Sequence, residues 1–263
     1  ARACIKTDNF YRSAHLDWER TQSAIQSQVK GNKLKITQGF IGSDDNNFTT
    51  TLGREGSDYS AAIFAYCLGA TDVTIWKDVP GVLNADPRVF DKTQLLHHIS
   101  YQEAIELAFY GASVIHPKTL QPLQRKEIPL FVKSFLNPTE SGTQVGKGVR
   151  MRPEIPCYIV KKGLSLLRLS TRDFSFVVED NISDIFKLLH EHKMSVDLIQ
   201  NSAISFSVCV NDKYQNMETL LHNLRARFDV QYTPDVMLYT IRHFEENSAT
   251  AILKAHELVL EQR

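Results

Sequence analysis

Between Leu164 and Tyr232 the apolar residues change period in a fixed order, and no other stretch of the chain restricts its fold as tightly. Residues 164–169 suit a strand, and Ile182, Ile185, Phe186 and Leu189 then recur at the spacing of one helix face. Residues 196–199 suit a second strand. Ile204, Phe206, Val208 and Val210 alternate with Ser205, Ser207 and Cys209, the period of two that a half-buried strand requires. Met217, Leu220, Leu221, Leu224 and Phe228 return to helical spacing, and 230–232 closes the set as a short strand. The order is βαββαβ, the ferredoxin-like α+β arrangement. After Pro234, residues 236–241 read as a strand and 248–260 as a helix, as if the same plan began again. The spacing predicts one module over about 157–233 and a second, truncated one begun at about 236. A truncated sheet leaves an apolar face open, so a frayed end or a second copy of the chain is expected there.

Upstream the pattern is different. Residues 33–40 read as a strand entering Gly39 and Gly42, and Ser57 as the N-cap of a helix over 58–68 that Gly69 stops. Residues 73–76 form a short β-rich run that empties into Lys77-Asp78-Val79-Pro80-Gly81. Ser100 and Glu103 make a capping-box signature for a helix ended by Gly111, and 129–135 is a further strand. Strands separated by helices predict a largely parallel α/β sheet with its ligands at the strands' carboxyl ends. Pro138, Gly142, Gly146, Gly148, Pro153 and Pro156 crowd one segment, punctuation that interrupts a helix or a central strand. The domain boundary is placed there, giving 1–150 and 151–263.

Composition excludes several classes of function. Of 263 residues, 43% are hydrophobic and 23% charged, which suits one or two ordinary globular domains. Thirty Lys and Arg balance thirty Asp and Glu, so no global field exists to hold a nucleic acid. The longest apolar stretch, 61–70, is half of the roughly 20 residues a membrane span needs. Cys4, Cys67, Cys157 and Cys209 are too scattered for a zinc knuckle or a disulfide framework, which fits a reducing cytoplasm. The histidines have no metal-ligand spacing, and no protein-held metal is expected. The chain starts at Ala1 without a secretory signal or an initiating Met, and reads as a fragment or processed chain.

Three segments carry candidate chemistry. Thr49-Thr50-Thr51-Leu52-Gly53-Arg54-Glu55-Gly56-Ser57-Asp58 sets hydroxyls, glycines and opposite charges before a helix N-terminus, where free N–H groups favour an anion. Arg54 can grip a carboxylate or phosphate in bidentate fashion and Asp58 can hold an ammonium, which together describe an amino-acid pocket. The same residues also serve an ordinary helix cap. In the second segment, 77–88, Arg88 can clamp phosphate oxygens and Asp78 can fix a base or ribose, but Pro80-Gly81 and Asp86-Pro87 equally describe two turns. The third, Ser195-Val196-Asp197-Leu198-Ile199 with Asn201 and Ser202, places Asp197 where it can meet an ammonium or simply face solvent. His116 has no visible carboxylate partner and is left without a role. The chain has no Walker loop, no protein-kinase signature and no Gly-x-Gly-x-x-Gly fingerprint.

Gly39-Phe40-Ile41-Gly42, then 49–58, then Trp76-Lys77-Asp78-Val79-Pro80-Gly81 through Ala85-Asp86-Pro87-Arg88, then 111–117, resemble in order and spacing the motifs of aspartokinase. Residues 195–199 resemble the effector-binding part of the regulatory ACT modules that follow its kinase domain, especially those of the lysine-sensitive type. The resemblance implies an amino-acid-kinase fold, incomplete here, followed by ACT modules. It implies phosphoryl transfer from MgATP to the side-chain carboxylate of L-aspartate. By motif position, Gly53, Arg54, Gly56, Ser57 and Asp58 match the aspartate site, and Lys77, Asp78, Leu83, Arg88 and Ser113 the nucleotide site. Ser195, Val196, Asp197 and Ser202 match an effector site for lysine or threonine at a homodimer interface. The family's Lys-Phe-Gly-Gly segment is absent, so this chain is expected to be inactive by itself. Leu83 stands where Tyr is common, Ser113 where Lys is common, Asp180-Asn181 where Gly-Phe precedes the helix, and Ala203 where an acid is usual. The alternative is a separate, non-catalytic subunit that senses an amino acid and assembles with a catalytic chain.

Overall fold

The computed structural model describes residues 1–31, 33–112, 114–173 and 175–263. They pack as two units, 1–159 with 242–244, and 160–241 with 245–263, the division falling inside one long strand.

The first unit contains α1 (Trp18–Gln28), β1 (Ile41–Ser43), β2 (Thr49–Thr51), α2 (Gly56–Leu68), β3 (Val73–Lys77), β4 (His98–Ser100), α3 (Tyr101–Tyr110), α4 (Pro117–Arg125), β5 (Leu130–Ser134) and β6 (Thr143–Gly146). β1 and β2 form an antiparallel hairpin, and the other strands form a sheet in the order β3-β5-β6-β4. β3 runs parallel to β5 and β4 to β6, but β5 and β6 are antiparallel, so the sheet is mixed rather than largely parallel. The reason is local. The chain doubles back between β5 and β6 through Gly142 at φ +68, where a Cβ would sit 2.1 Å from the Val132 carbonyl oxygen. The Gly- and Pro-rich segment therefore does not exclude a central strand: β6 lies inside the sheet, and the left-handed glycines Gly142 and Gly148 stand beyond its two ends.

Two further expectations are corrected in this unit. Residues 33–40 form no strand; Leu34 and Ile36 are 88% and 92% exposed, and among the described residues no strand lies beside them. Ser57 is not the cap of α2, which starts at Gly56 behind Glu55. Close packing sets that start: a Cβ on Gly56 would lie 2.7 Å from the Phe40 ring, and one on Gly39 2.9 Å from the Ser57 Cα. Gly69 ends α2 in the left-handed conformation, and Ser100 caps α3 by accepting from the Glu103 amide at 3.0 Å, both as the sequence predicts.

The core of the unit sets Ile75, Leu130, Val132 and Val145 of the sheet against Ala62, Ala65, Leu107, Leu120 and Leu123 of the helices. A second cluster joins Ile5, Ile25, Leu52 and Ile63. Thr143 ties the chain beyond β3 to the sheet: its hydroxyl accepts from the Val82 amide at 2.8 Å and donates to the Leu96 carbonyl at 2.6 Å. Glu103 holds the returning segment, with Arg242 donating to both its oxygens at 2.8 and 3.0 Å and His243 Nε2 lying 3.1 Å away.

The second unit is built from β7 (Cys157–Thr171), α5 (Glu179–Glu191), β8 (Ser195–Asn201), β9 (Ser205–Asn211), α6 (Met217–Arg225), β10 (Phe228–Arg242) and α7 (Thr250–Ala255). The sheet order is β10-β7-β9-β8, with β9 antiparallel to both neighbours. One face packs Leu167, Leu169, Phe206 and Val208 against Ile185, Leu189, Leu220 and Leu224 of the two longer helices. On another surface, Leu164, Leu166 and Cys209 are covered by Leu198, Val236, Leu238 and Leu260. The strand expected to close one module and the strand expected to open the next are a single strand, β10, running through Pro234. Proline is tolerated in β10 because it is an edge strand, with a neighbour on one side only. The helix expected over 248–260 is the six-residue α7; the chain beyond has no helix or strand, and Leu260 joins the strand cluster.

All four cysteines are buried and unpaired. Burial pushes the thiol pKa of Cys67 and Cys209 up to about 11 and that of Cys157 up to about 12. No helix among the described residues is long and apolar enough to cross a membrane.

Thr143→Val keeps the shape but strands a buried N–H and a buried C=O, and is expected to cost about 2–4 kcal/mol in urea denaturation. Burial raises the Glu103 pKa, but Arg242 and His243 outweigh it and hold the carboxyl below its ordinary value of 4.5. A depressed folded pKa stabilises fully above the unfolded value and is lost as pH falls through the folded one. The stability gap between the native chain and Glu103→Gln is therefore expected to shrink below about pH 4.5, as read from unfolding midpoints against pH.

Candidate functional site

The β1–β2 hairpin delivers the chain to the start of α2 through a tight turn. Leu52 N–H donates to the Phe40 carbonyl, and Gly56 N–H to that of Gly53, which sits at φ +82. The turn thus takes up the first N–H of α2, and it leaves Arg54 and Ser57 exposed and Asp58 half-buried in the first turn. Gly53 and Gly56 are buried beneath them.

Asp58 reaches the end of a different element. Lys77, the last residue of β3, places Nζ 2.8 Å from Asp58 Oδ2, with the two side chains only 21% and 14% exposed. The ammonium neutralises the carboxylate but lies off the direction a hydrogen bond needs, so Asp58 Oδ2 is a shielded acceptor without one. A residue of the glycine-bearing loop and a residue of the strand end, far apart in sequence, thus form one charged centre. It lies at the carboxyl end of a parallel strand, where α/β sheets collect ligands.

The rest of the second loop is firmly placed. Lys77 C=O accepts from the Phe135 amide, and Gly81 at φ +150 packs against Thr143. Asn84 donates to the Pro156 carbonyl at 3.0 Å and accepts from the Gln94 amide at 2.7 Å. Leu83 is half-buried and bridges to Leu95, Asp78 is exposed, and Arg88 is 82% exposed. The Arg88 guanidinium is engaged by its neighbour in sequence, Asp86, through bonds of 2.8 to 3.2 Å. Ser113 lies outside the described residues. No group of three or more His, Cys, Asp or Glu among the described residues could hold a metal ion.

His116, left unassigned from sequence, caps α4: its Nδ1 accepts from the Lys118 amide at 3.1 Å. Burial pushes its pKa below the ordinary value; Glu55 opposes that shift, while Lys118 and Arg54 reinforce it. Pro117 at the first helical position was the available signal.

In the second unit, Ser195 is exposed at the start of β8 and Val196 packs against the helix-side core. The β8–β9 register shifts between Val196 and Leu198, which makes Asp197 the bulged residue. A bulge re-aims a side chain, and Asp197 meets Lys161 of β7 at 2.5 Å. Ser202 is used by the turn before β9, where its Oγ accepts from the Ser205 amide at 3.1 Å.

Residues 2–134 match the amino acid kinase family, just over half of the chain, and the chain belongs to that family. Its relatives there include the lysine-sensitive aspartokinase 3 of Escherichia coli (strain K12), 40% identical over 178 residues that cover 68% of this chain and 39% of that protein. Two crystal structures of E. coli aspartokinase III are similar to it, with TM-scores of 0.73 for the complex with lysine and aspartate and 0.70 for the complex with aspartate and ADP. Identities are 34% and 33%, over 90% of this chain and 55% of each solved chain. The chain thus spans about two fifths of that curated relative's length.

Removing one partner of the Asp58–Lys77 pair leaves a half-buried charge unmatched. Lys77→Met is expected to destabilise by about 1–3 kcal/mol, and Lys77→Met combined with Asp58→Asn by less than the sum of the two single changes. A double-mutant cycle in urea measures that coupling.

Proposed function

We propose that this chain carries part of the active site of an aspartate kinase, which transfers the γ-phosphoryl group of ATP to the side-chain carboxylate of L-aspartate. The observation that supports it is the 2.8 Å pair between Asp58 and Lys77, which joins the loop suited to a zwitterion to the strand end suited to a nucleotide. In the reaction an oxygen of the side-chain carboxylate bonds to the γ-phosphorus, the bond to the β,γ-bridging oxygen breaks, and ADP leaves with 4-phospho-L-aspartate as product. A carboxylate nucleophile has no proton to lose. The site therefore needs positioning and charge neutralisation rather than a general base.

Arg54 presents its guanidinium at the surface for the substrate's α-carboxylate, and Asp58 accepts from its ammonium. Gly53, Gly56 and Ser57 bring the α2 N–H groups to the same place. Lys77 faces the transferring phosphoryl group, with Asp78, Leu83 and Arg88 along the nucleotide, and Arg88 exchanges Asp86 for phosphate oxygens. Mg²⁺ supplies charge neutralisation when bound. With no cluster among the described residues able to hold it, the donor set fits an ion carried largely by the triphosphate, with Asp78 as the available carboxylate.

The second unit suits a regulatory ACT module of ferredoxin-like plan, its βαββαβ order and β10-β7-β9-β8 sheet being those of that arrangement. Asp197, with Ser195, Val196 and Ser202 around it, is the proposed effector contact for the ammonium of lysine or threonine, in exchange for Lys161. Dimerisation through these modules belongs to the same reading.

The test is hydroxylamine trapping of the acyl phosphate formed from L-aspartate and ATP by the chain joined to the family's upstream Lys-Phe-Gly-Gly segment. Arg54→Ala is expected to raise the aspartate requirement about tenfold or more and to leave the ATP requirement unchanged. A protein that binds L-aspartate, yields no hydroxamate and is indifferent to Arg54→Ala would be a sensor rather than a kinase.

A further inference from the structure

Among the described residues, three shielded side-chain atoms have no hydrogen-bond partner: Glu55 Oε2, Asp58 Oδ2 and Thr119 Oγ1. Two of them are carboxylate oxygens at the N-terminal end of α2. Asp58 at least has Lys77 beside it, whereas Glu55 makes no ion pair among the described residues. His116, which feels the charge of Glu55, is kept largely neutral at pH 7 by burial and by Lys118 and Arg54.

The backbone at Glu55 is also unfavourable. It sits at φ 53, ψ 33, a left-handed conformation that glycine adopts freely and an L side chain does not, and it caps α2 without a side-chain cap bond. Glu55 therefore gains neither backbone comfort, nor a cap, nor a partner for its charge. A strained residue that keeps a shielded, unmet charged atom points to a ligand that meets it.

Charge balance names the ligand. Asp58 and Lys77 cancel one another. What remains beside the turn is one exposed positive group, Arg54, and one half-buried negative group, Glu55, adjacent in sequence and each without an ion pair among the described residues. That is the complement of a zwitterion. We infer that Glu55 is a further substrate-binding residue, accepting a hydrogen bond from the ammonium group of the amino-acid substrate alongside Asp58 and so selecting an amino acid over the corresponding dicarboxylate. An ammonium has three N–H donors, enough for both carboxylates. This inference rests on the proposed aspartate site.

The test is calorimetric titration of the native chain, Glu55→Gln and Glu55→Gly with L-aspartate, with succinate, which has both carboxylates and no ammonium, and with ATP. The native chain is expected to prefer L-aspartate to succinate. Both variants should weaken aspartate about tenfold or more while succinate and ATP stay unchanged, and Glu55→Gly should also melt at a higher temperature. Unchanged aspartate binding, or equal weakening of aspartate and succinate, would overturn the role of Glu55 and leave the kinase reading standing. A native chain that binds no L-aspartate would overturn the aspartate site and this inference with it.

Discussion

A carboxylate and an ammonium drawn out of water must meet or pay a desolvation penalty, and that constraint makes a single place out of two loops. Asp58 sits in the first turn of a helix and Lys77 at the last position of a strand, and their 2.8 Å approach fixes the distance between those two ends. Much of the surrounding structure serves to keep it so. The glycines at 39 and 56 let the hairpin and helix backbones close together, and Thr143 fastens the chain beyond β3 to the interior of the sheet. Without these, the charged groups would still be present in the chain but not in one place.

Where a local physical signal was strong, the fold was legible. Gly69 and Gly111 end helices, Ser100 begins one, and the alternation from Ile204 to Val210 is the buried strand β9. Two helices left little trace. α1 buries only Thr21 and Ile25, too thin a stripe to register as a period, and α4 contains Pro122, which reads as a break. The reverse error occurred at Leu34 and Ile36, whose alternation imitates a strand although nothing beside them buries it. Pro234 was read as an end because a proline interrupts a central ladder, and edge position is a property of the sheet rather than of the residue.

The candidate site was legible by type and less so by partnership. Arg54 and Asp58 stand at the helix start as their spacing suggested, but the ion partners of Asp58 and Asp197 are lysines distant in sequence, which no local pattern announces. Arg88 looked available for phosphate and is engaged by Asp86 two positions away. Glu55 drew no attention, because its distinction lies in a backbone angle and a missing partner.

The shielded thiols have a practical corollary. With pKa values pushed up to about 11 or 12, Cys67, Cys157 and Cys209 carry almost no thiolate at neutral pH, and all four cysteines are closed to reagents while the chain is folded. Cys4, Cys67 and Cys157 belong to the first unit and Cys209 to the second, so the molecule contains its own set of stopwatches. The rate at which an alkylating agent marks each one records how often that neighbourhood breathes open, unit by unit, without any label being introduced.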